Sequence, residues 1–157
     1  MPPASEALFA VGLSADASNR LRMLLASSPD PKGAARNLQH LRDEQPAAFE
    51  RIAASAATLQ TLLVVFAHSE FLSSEVLQAP EWVEDLPARG DLHRVRSSEE
   101  YLEELSACVV GRALAPPLSG SFATELAKYR RRQLLRILVR DVLGFGTLGD
   151  ITEEISN

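Results

Sequence analysis

The chain has 157 residues, enough for one domain with a substantial buried core. Its net charge of -5 argues against a general nucleic-acid-binding protein, because such proteins usually carry an excess of basic residues. The single cysteine, Cys108, excludes an intrachain disulfide framework, and its helical surroundings predict a buried thiol. The N-terminus lacks the basic and apolar regions of a signal peptide, and the longest apolar run is too short to span a bilayer. We therefore expect a cytoplasmic protein.

Helix start and stop signals organise the first part of the chain. Residues 14–27 form the first predicted helix, which ends before Pro29 because the residue preceding a proline disfavours helical geometry. Asp30 and Pro31 then supply an N-cap and a first helical residue for a second helix, which extends to about Glu44. The predicted buried line of this second helix consists of Ala35, Leu38 and Leu41.

The segment that begins at Pro46 has the clearest periodicity in the sequence. Six residues separated by steps of three and four predict one continuous helix of about five turns with a single buried face. These residues are Phe49, Ile52, Ala56, Leu59, Leu63 and Phe66. A short helix is expected from about Ser69 to Pro80, and a further short turn or helix is expected up to Pro87.

The second half of the chain begins with residues 88–96, which the sequence predicts to be an exposed connector. Ser97 and Glu100 form a capping-box pattern that opens a helix, with Gly111 as its expected end. The inward residues of this helix are predicted to be Leu102, Leu105 and Val109. Residues 113–121, rich in proline, glycine and serine, predict an internal joint.

A long basic helix is predicted over residues 122–143, closed by Gly144. Asp150 and Glu153 resemble another capping pair, which would begin a helix that the chain leaves within two turns. We interpret this as a sign of truncation, and we expect two apolar residues of that helix, Ile151 and Ile155, to lack partners.

Taken together, these patterns predict an all-α fold, a bundle of about six to eight helices without a sheet. We expect residues 1–157 to form a single helical domain. Its expected parts are a tail (1–13), a helical sub-bundle (14–112), the joint (113–121) and the basic helix with the start of the last helix (122–157).

Motifs for catalysis or metal binding are missing from the sequence. The three histidines, His40, His68 and His93, are far apart and belong to no metal-binding spacing. Acidic pairs are nearest neighbours, whose side chains diverge by about 100° on a helix and cannot share a metal. The glycines of residues 144–150 follow a helix and lack the Lys-Ser/Thr of a phosphate loop. We predict no catalytic residue, metal or cofactor in this chain.

Six basic residues and no acidic residue lie between Lys128 and Arg140. Within this cluster, Arg132, Arg136 and Arg140 follow each other at four-residue steps and so form one stripe along the helix. Two interpretations stay open at this point. The stripe could pair with acidic residues of neighbouring helices, or it could form a surface that docks an anion or another domain.

Two stretches of the chain resemble the glutamine synthetase adenylyltransferases. Residues 62–86, LLVVFAHSEFLSSEVLQAPEWVEDL, are similar to an N-terminal signature of that family, with its Phe-Leu pair and Pro-Glu-Trp ending. Residues 126–156 resemble the family's Arg-Arg-Arg-Glu-Leu-Leu-Arg-Ile helix and its Arg-Asp-x-Leu-Gly ending. The sequence departs from the pattern at Gln133, where glutamate is usual.

The resemblance implies an enzyme with two nucleotidyltransferase halves. One half transfers AMP from ATP to a tyrosine of glutamine synthetase, the other removes it by phosphorolysis, and a PII-type signal protein conveys the nitrogen status. The full-length family enzyme is expected to use ATP and Mg²⁺, held by aspartates in a Gly-Ser…Asp-x-Asp pattern. This chain contains no Asp-x-Asp, so no catalytic residue can be assigned by resemblance.

The resemblance therefore implies a non-catalytic N-terminal helical segment that is inactive alone. The alternative is a stand-alone helical protein-binding module without enzymatic activity. The positions that match the family's basic helix are Arg131, Arg132, Arg136, Arg140 and Asp141. An anion- or domain-docking role is implied for them, with the enzyme's own nucleotidyltransferase domain as partner and with neither nucleic acid nor membrane.

Overall fold

The structure is a computed structural model that describes residues 13–113 and 122–156. Within these ranges it contains nine helices and one short 3-10 turn, and no strand, which confirms the all-α prediction. The helices are α1 (Ala15–Ala26), α2 (Pro31–Glu44), α3 (Pro46–Ala54), α4 (Ala56–His68), α5 (Glu70–Gln78), α6 (Glu81–Ala88), α7 (Ser98–Ala113), α8 (Phe122–Val142) and α9 (Leu148–Ser156).

The chain divides into two compact units, a first unit up to Gly90 and a second unit from Asp91 onward. The first unit contains α1 to α6, and the second contains the 3-10 turn at Asp91–His93 with α7, α8 and α9. The predicted joint lies almost entirely outside the described residues, so the predicted subdivision at 113–121 stays a prediction.

The N-terminal caps of the first two helices follow the sequence signals. The Ser14 hydroxyl accepts a hydrogen bond from the backbone N–H of Ala17 at 3.2 Å, and Asp30 caps α2 ahead of Pro31. On α2, Leu38 and Leu41 are buried as predicted. The third member of that buried line is Ala34, because the predicted Ala35 is only half-buried.

The predicted continuous helix from Pro46 is wrong, because Ser55 divides it into α3 and α4. The Ser55 backbone is extended, with φ -106° and ψ 119°, and its hydroxyl accepts a hydrogen bond from the N–H of Thr58. Serine is a favoured N-cap because its oxygen replaces a missing helical acceptor. The predicted buried face nevertheless continues across the break, since Phe49 before it and Leu59 after it are both buried. Ala56, which was predicted to lie on this face, is exposed.

Helix α4 lies at the centre of the first unit and contacts all five other helices of that unit. Its apolar residues from Leu62 to Phe66 are all buried, which explains why its sequence shows little amphipathic contrast. The two buried threonines are satisfied locally, because Thr58 donates to the Ser55 hydroxyl and Thr61 donates to the Ala57 carbonyl.

No single one of the described helices is both long enough and apolar enough to cross a membrane. Helices α3 and α4 reach that length and composition only together, and they are bent by 118° where they meet.

Helix α8 organises the second unit and contacts α7, α9 and the 3-10 turn. The segment 88–96 was predicted to be exposed, but Leu92 and Arg96 are buried. Leu92 belongs to the 3-10 turn that packs against α8, and the Arg96 backbone N–H donates to the Glu154 carboxylate. An apolar contact and a charged contact therefore both fix this segment.

Helix α7 begins as predicted and packs differently from the prediction. Ser97 and Glu100 exchange two backbone-to-side-chain hydrogen bonds, of 2.8 and 3.3 Å, which confirms the capping box. The helix continues past Gly111. Leu102 and Cys108 are exposed rather than buried. The predicted inward residue Leu105 is half-buried, and it shares this face of α7 with the polar residues Tyr101 and Glu104. The side chain of the third predicted inward residue, at 109, is outside the description.

The C-terminal end of α8 and the start of α9 are set by separate local signals. Gly144 has a φ of 71°, and the N–H of Phe145 donates to the Arg140 carbonyl, which confirms the predicted helix stop. The predicted capping pair of Asp150 with Glu153 is wrong. Thr147 and Asp150 exchange the capping hydrogen bonds instead, so α9 begins three residues earlier than a helix capped at Asp150 would.

Candidate functional site: a buried arginine–glutamate cluster

The two C-terminal arginines of the predicted stripe point into the second unit. The side chains of Arg136 and Arg140 are only 2% and 1% exposed. Both lie on the buried face of α8, which also contains Leu135 and Val139. Charged residues are rarely buried unless they are paired, so each guanidinium must find acceptors inside the unit.

Glu154 of α9 is the carboxylate that both arginines face, and its side chain has no exposed surface. Its Oε2 accepts a hydrogen bond from Arg136 Nη1 at 3.0 Å, and its Oε1 accepts from Arg136 Nη2 at 3.3 Å. The backbone N–H of Arg96 donates to Oε1 at 2.9 Å. Arg140 Nε lies 3.7 Å from Oε2, which is an ion-pair distance rather than a hydrogen bond.

Backbone carbonyls of the segment before α7 accept further hydrogen bonds from these arginines. The Arg94 carbonyl accepts from Arg136 Nη2 at 2.6 Å and from Arg140 Nη1. The Leu92 carbonyl accepts from Arg140 Nη1 at 3.2 Å. The two guanidinium groups thus join α8, α9 and the segment before α7 through one set of donors.

A third buried arginine, Arg96, extends the cluster towards α7. Its side chain is 6% exposed, and its Nη1 donates to Glu104 of α7 at 2.8 Å and to the Gln133 side-chain oxygen of α8 at 3.3 Å. Gln133 therefore accepts a hydrogen bond from a buried guanidinium without carrying a charge. We call Arg96, Arg136, Arg140 and Glu154 the arginine–glutamate cluster.

Two tyrosines border this cluster on its α7 side. The Tyr101 hydroxyl accepts a hydrogen bond from Arg136 Nη1 at 3.3 Å, and the Tyr129 hydroxyl donates to Glu104 at 3.2 Å. Burial, followed by the negative charge of Glu104, raises the pKa of Tyr129 well above its ordinary value of 10. Burial and the charge of Glu154 also raise the pKa of Tyr101.

The cluster as a whole adds little to the free energy of unfolding, but each of its charged residues depends on the others. Moving each charge out of water costs several kcal/mol, and the ion pairs and hydrogen bonds about offset that cost. Removing one partner is therefore far more harmful than removing the whole set, because an uncompensated charge stays buried. The geometry assigns the cluster a structural role in attaching α9 and the segment before α7 to α8.

The five predicted site residues separate into two groups in the structure. Arg136 and Arg140 pair inside the unit, as the first of the two open interpretations expected. Arg131 and Arg132 are half-buried, and Asp141 is exposed. The docking role of these residues stays a prediction.

Sequence reasoning missed Glu154, Arg96 and the two tyrosines. Glu154 lies three residues after Ile151, so both occupy one face of α9, and this spacing was the available signal. Ile151 is buried, contrary to the expectation that it lacks partners, while Ile155 is 62% exposed. The buried face of α9 therefore carries Ile151 and Glu154, and Ile155 lies outside it.

Within residues 13–113 and 122–156, no group of three or more histidine, cysteine, aspartate or glutamate side chains is placed to hold a metal ion. Among the carboxylates of the second unit, Glu104 and Glu154 face guanidinium groups, and Asp150 accepts a hydrogen bond at the N-terminus of α9.

The cluster lies within a region that matches a known protein family. The family model described as glutamate-ammonia ligase adenylyltransferase matches residues 59–157, which is more than half of the chain. The chain belongs to this family. The match includes α8, α9 and the whole cluster, whereas α1, α2 and α3 precede it.

A curated relative supports the same assignment. The chain is 29% identical over 101 residues to the bifunctional glutamine synthetase adenylyltransferase/adenylyl-removing enzyme of Nitrosococcus oceani. The alignment covers 64% of this chain and 10% of that enzyme, so the chain spans about a tenth of its relative. No solved structure matches the chain.

Replacing Arg136 with methionine tests the interdependence of the cluster. Arg136→Met should lower the free energy of unfolding of the second unit by about 3–5 kcal/mol, because it leaves Glu154 buried without its main partner. Urea unfolding followed by the absorbance of the two tyrosines, both of which lie in the second unit, measures this change. The single tryptophan, Trp82, reports on the first unit and should be unaffected.

The matched control is Arg130→Met on the same helix, where the side chain is exposed and the change should stay within about 0.5 kcal/mol. Equal losses of stability for the two variants would contradict the structural role of the cluster.

The raised pKa values of Tyr101 and Tyr129 predict an alkaline limit to stability. Because the folded pKa exceeds the unfolded value near 10, each tyrosine contributes stability below pH 10 that is lost as the pH rises above it. Absorbance titration of the folded chain should show both phenols ionising above pH 10, and the urea-unfolded chain should show both near 10. A tyrosine that titrates at its ordinary pKa in the folded chain would refute the burial argument.

Proposed function

We propose that this chain is a non-catalytic helical segment of an enzyme that adds and removes AMP on a tyrosine of glutamine synthetase, and that it supports the deadenylylating half. The observation that carries this proposal is the burial of its charged centre. Within the region that matches the family, the buried guanidinium groups of Arg136 and Arg140 form ion pairs with Glu154. They also donate hydrogen bonds to backbone carbonyls. Such groups hold helices in place and are not presented to a substrate.

The chemistry of the whole enzyme belongs, in this proposal, to domains beyond the chain. ATP and Mg²⁺ would bind in the nucleotidyltransferase domains, and the chain itself would bind neither. Two features support this division of labour. The sequence has no Asp-x-Asp pair, and no three metal-binding side chains converge among the residues that the structure describes. Glutamine synthetase and a PII-type signal protein would be partners of the whole cytoplasmic enzyme.

We further propose that Arg131, Arg132 and Asp141 contribute to a surface that docks the enzyme's own nucleotidyltransferase domain. All three lie on α8, the helix that the cluster holds rigidly, and none is fully buried. Arg132 and Asp141 are nine residues apart and so face opposite sides of the helix, and the partner domain would contact them at separate points. Each arginine can make bidentate contacts with a carboxylate of that domain.

The isolated chain should neither add AMP to glutamine synthetase nor remove it. The assay supplies glutamine synthetase with ATP and Mg²⁺ in one direction, and adenylylated glutamine synthetase with phosphate and Mg²⁺ in the other. Mass spectrometry of the target tyrosine peptide measures both reactions. A full-length family enzyme serves as the positive control, and turnover by the chain alone would defeat the non-catalytic assignment.

The docking surface is tested by the triple variant Arg131→Gln, Arg132→Gln and Asp141→Asn. We expect it to bind the separately expressed nucleotidyltransferase domain at least about tenfold more weakly, because charged contacts at an interface are each worth a kcal/mol or more. Calorimetric titration measures the affinity, and circular dichroism should be unchanged.

A matched control for this test is the variant with Lys32→Gln and Arg36→Gln, two exposed basic residues of α2. The docking surface is rejected if this control weakens binding as much as the triple variant, or if neither variant changes it.

A further inference from the structure

One face of α8 carries two exposed charges of opposite sign. Arg130 and Asp141 are both exposed, and neither side chain has an ion-pair or hydrogen-bond partner among the residues that the structure describes. Their positions are eleven residues apart, which is close to three full turns, so the two side chains lie within about 20° of each other around the helix. The face therefore has a cation near its middle and an anion about 16 Å further along the axis.

Two leucines lie between these charges on the same side of α8. Leu134 and Leu138 follow Arg130 at four-residue steps, so they lie about 40° and 80° from it around the helix. Leu134 is 37% exposed and Leu138 is half-buried, whereas the neighbouring Ile137 is already buried within the chain. The exposed apolar surface of this face is thus small and is flanked by the two charges. We call Arg130, Leu134, Leu138 and Asp141 the α8 ridge.

The order of the residues in the α8 ridge is self-complementary. When two α8 helices run antiparallel, Arg130 of each copy can lie opposite Asp141 of the other. The same register brings Leu134 of each copy next to Leu138 of the other, because both pairs of positions have their midpoint near residue 136. A parallel arrangement would place like charges opposite each other, which is unfavourable. Exposed leucines are common on protein surfaces, so it is this order, and not exposure alone, that indicates a partner.

We propose that the α8 ridge is the contact surface for a second copy of this chain, with two α8 helices packed antiparallel about a two-fold axis. Such an axis gives both copies the same interface, which is the commonest arrangement of homo-oligomers. Leu134 and Leu138 form the apolar centre of the contact, and one ion pair between Arg130 and Asp141 closes each end. Because the apolar centre is small, the dimer is weak, with a dissociation constant on the order of 100 μM.

The dimer does not rest on the proposed function. Asp141 also belongs to the proposed docking surface, so a second copy and the nucleotidyltransferase domain would exclude each other at this end of α8. Self-association is measured on this chain alone, and its failure would leave the docking proposal unaffected.

Charge reversal tests the contact in the full 157-residue chain. Sedimentation equilibrium at low ionic strength measures the dimer dissociation constant of the wild type, of Arg130→Asp and of Asp141→Arg. Each single variant places like charges opposite each other at both ends of the contact, so its dissociation constant should rise at least about fivefold. Asp141→Arg also lowers the net negative charge of the chain, which by itself favours association, so a weaker dimer in this variant points to the local contact.

Mixing the two single variants separates a contact between copies from an effect within one copy. In a mixed dimer of Arg130→Asp with Asp141→Arg, both ends of the contact again hold opposite charges, and the same is true of the double variant with itself. We expect both to associate within about twofold of the wild type. The matched control is Lys128→Asp, which changes the net charge as Arg130→Asp does but lies about 160° away around α8, and it should dimerise like the wild type.

Recovery of the dimer in the mixture supports the proposal. A wild-type chain that remains monomeric at about 1 mM overturns it, because the contact would then be too weak to form. Single variants that associate as tightly as the wild type, or a mixture that does not recover, overturn it as well, since association would then use another surface. Circular dichroism checks that each variant is folded, as expected for exposed positions, and Arg130→Glu with Asp141→Lys provides a second pair for the same comparison.

Discussion

Burial removes the water that would solvate the Glu154 carboxylate, so hydrogen bonds and positive charges of the protein must replace it. The second unit is organised to supply them. Its hydrogen-bond donors are the Arg136 guanidinium on α8 and the backbone N–H of Arg96, and the Arg140 guanidinium lies at ion-pair distance from it. Because these donors belong to different segments, satisfying one anion fixes α8, α9 and the segment before α7 together. The apolar contacts then need only to exclude water from a structure whose connections are already specified.

The two units are therefore stabilised by different interactions. The first is an ordinary apolar bundle in which the residues of α4 from Thr61 to Phe66 are all buried, and the two buried threonines of α4 are satisfied within one turn. The second has fewer buried apolar residues and a charged interior. The family match contains all of the second unit and therefore the whole charged interior.

The sequence predicted what local chemistry determines. The caps at Asp30 and Ser97 and the stop at Gly144 depend on neighbouring residues, and they were predicted correctly. The break at Ser55 was missed because the buried face keeps its spacing across it, so periodicity cannot reveal the bend. Glu154 was missed because a glutamate is assigned to solvent unless its partners are known, and those partners lie 18 and 58 positions away in the chain.

The position of α4 has a consequence for the way in which the first unit forms. Because α4 contacts all five other helices of the unit, its own apolar surface is fully buried only when all of them are present. Partly assembled states therefore gain little, and we infer a single cooperative transition. Across the described residues, most residue pairs in contact are nevertheless fewer than twelve positions apart in the chain. Low contact order of this kind is characteristic of domains that fold within microseconds to milliseconds.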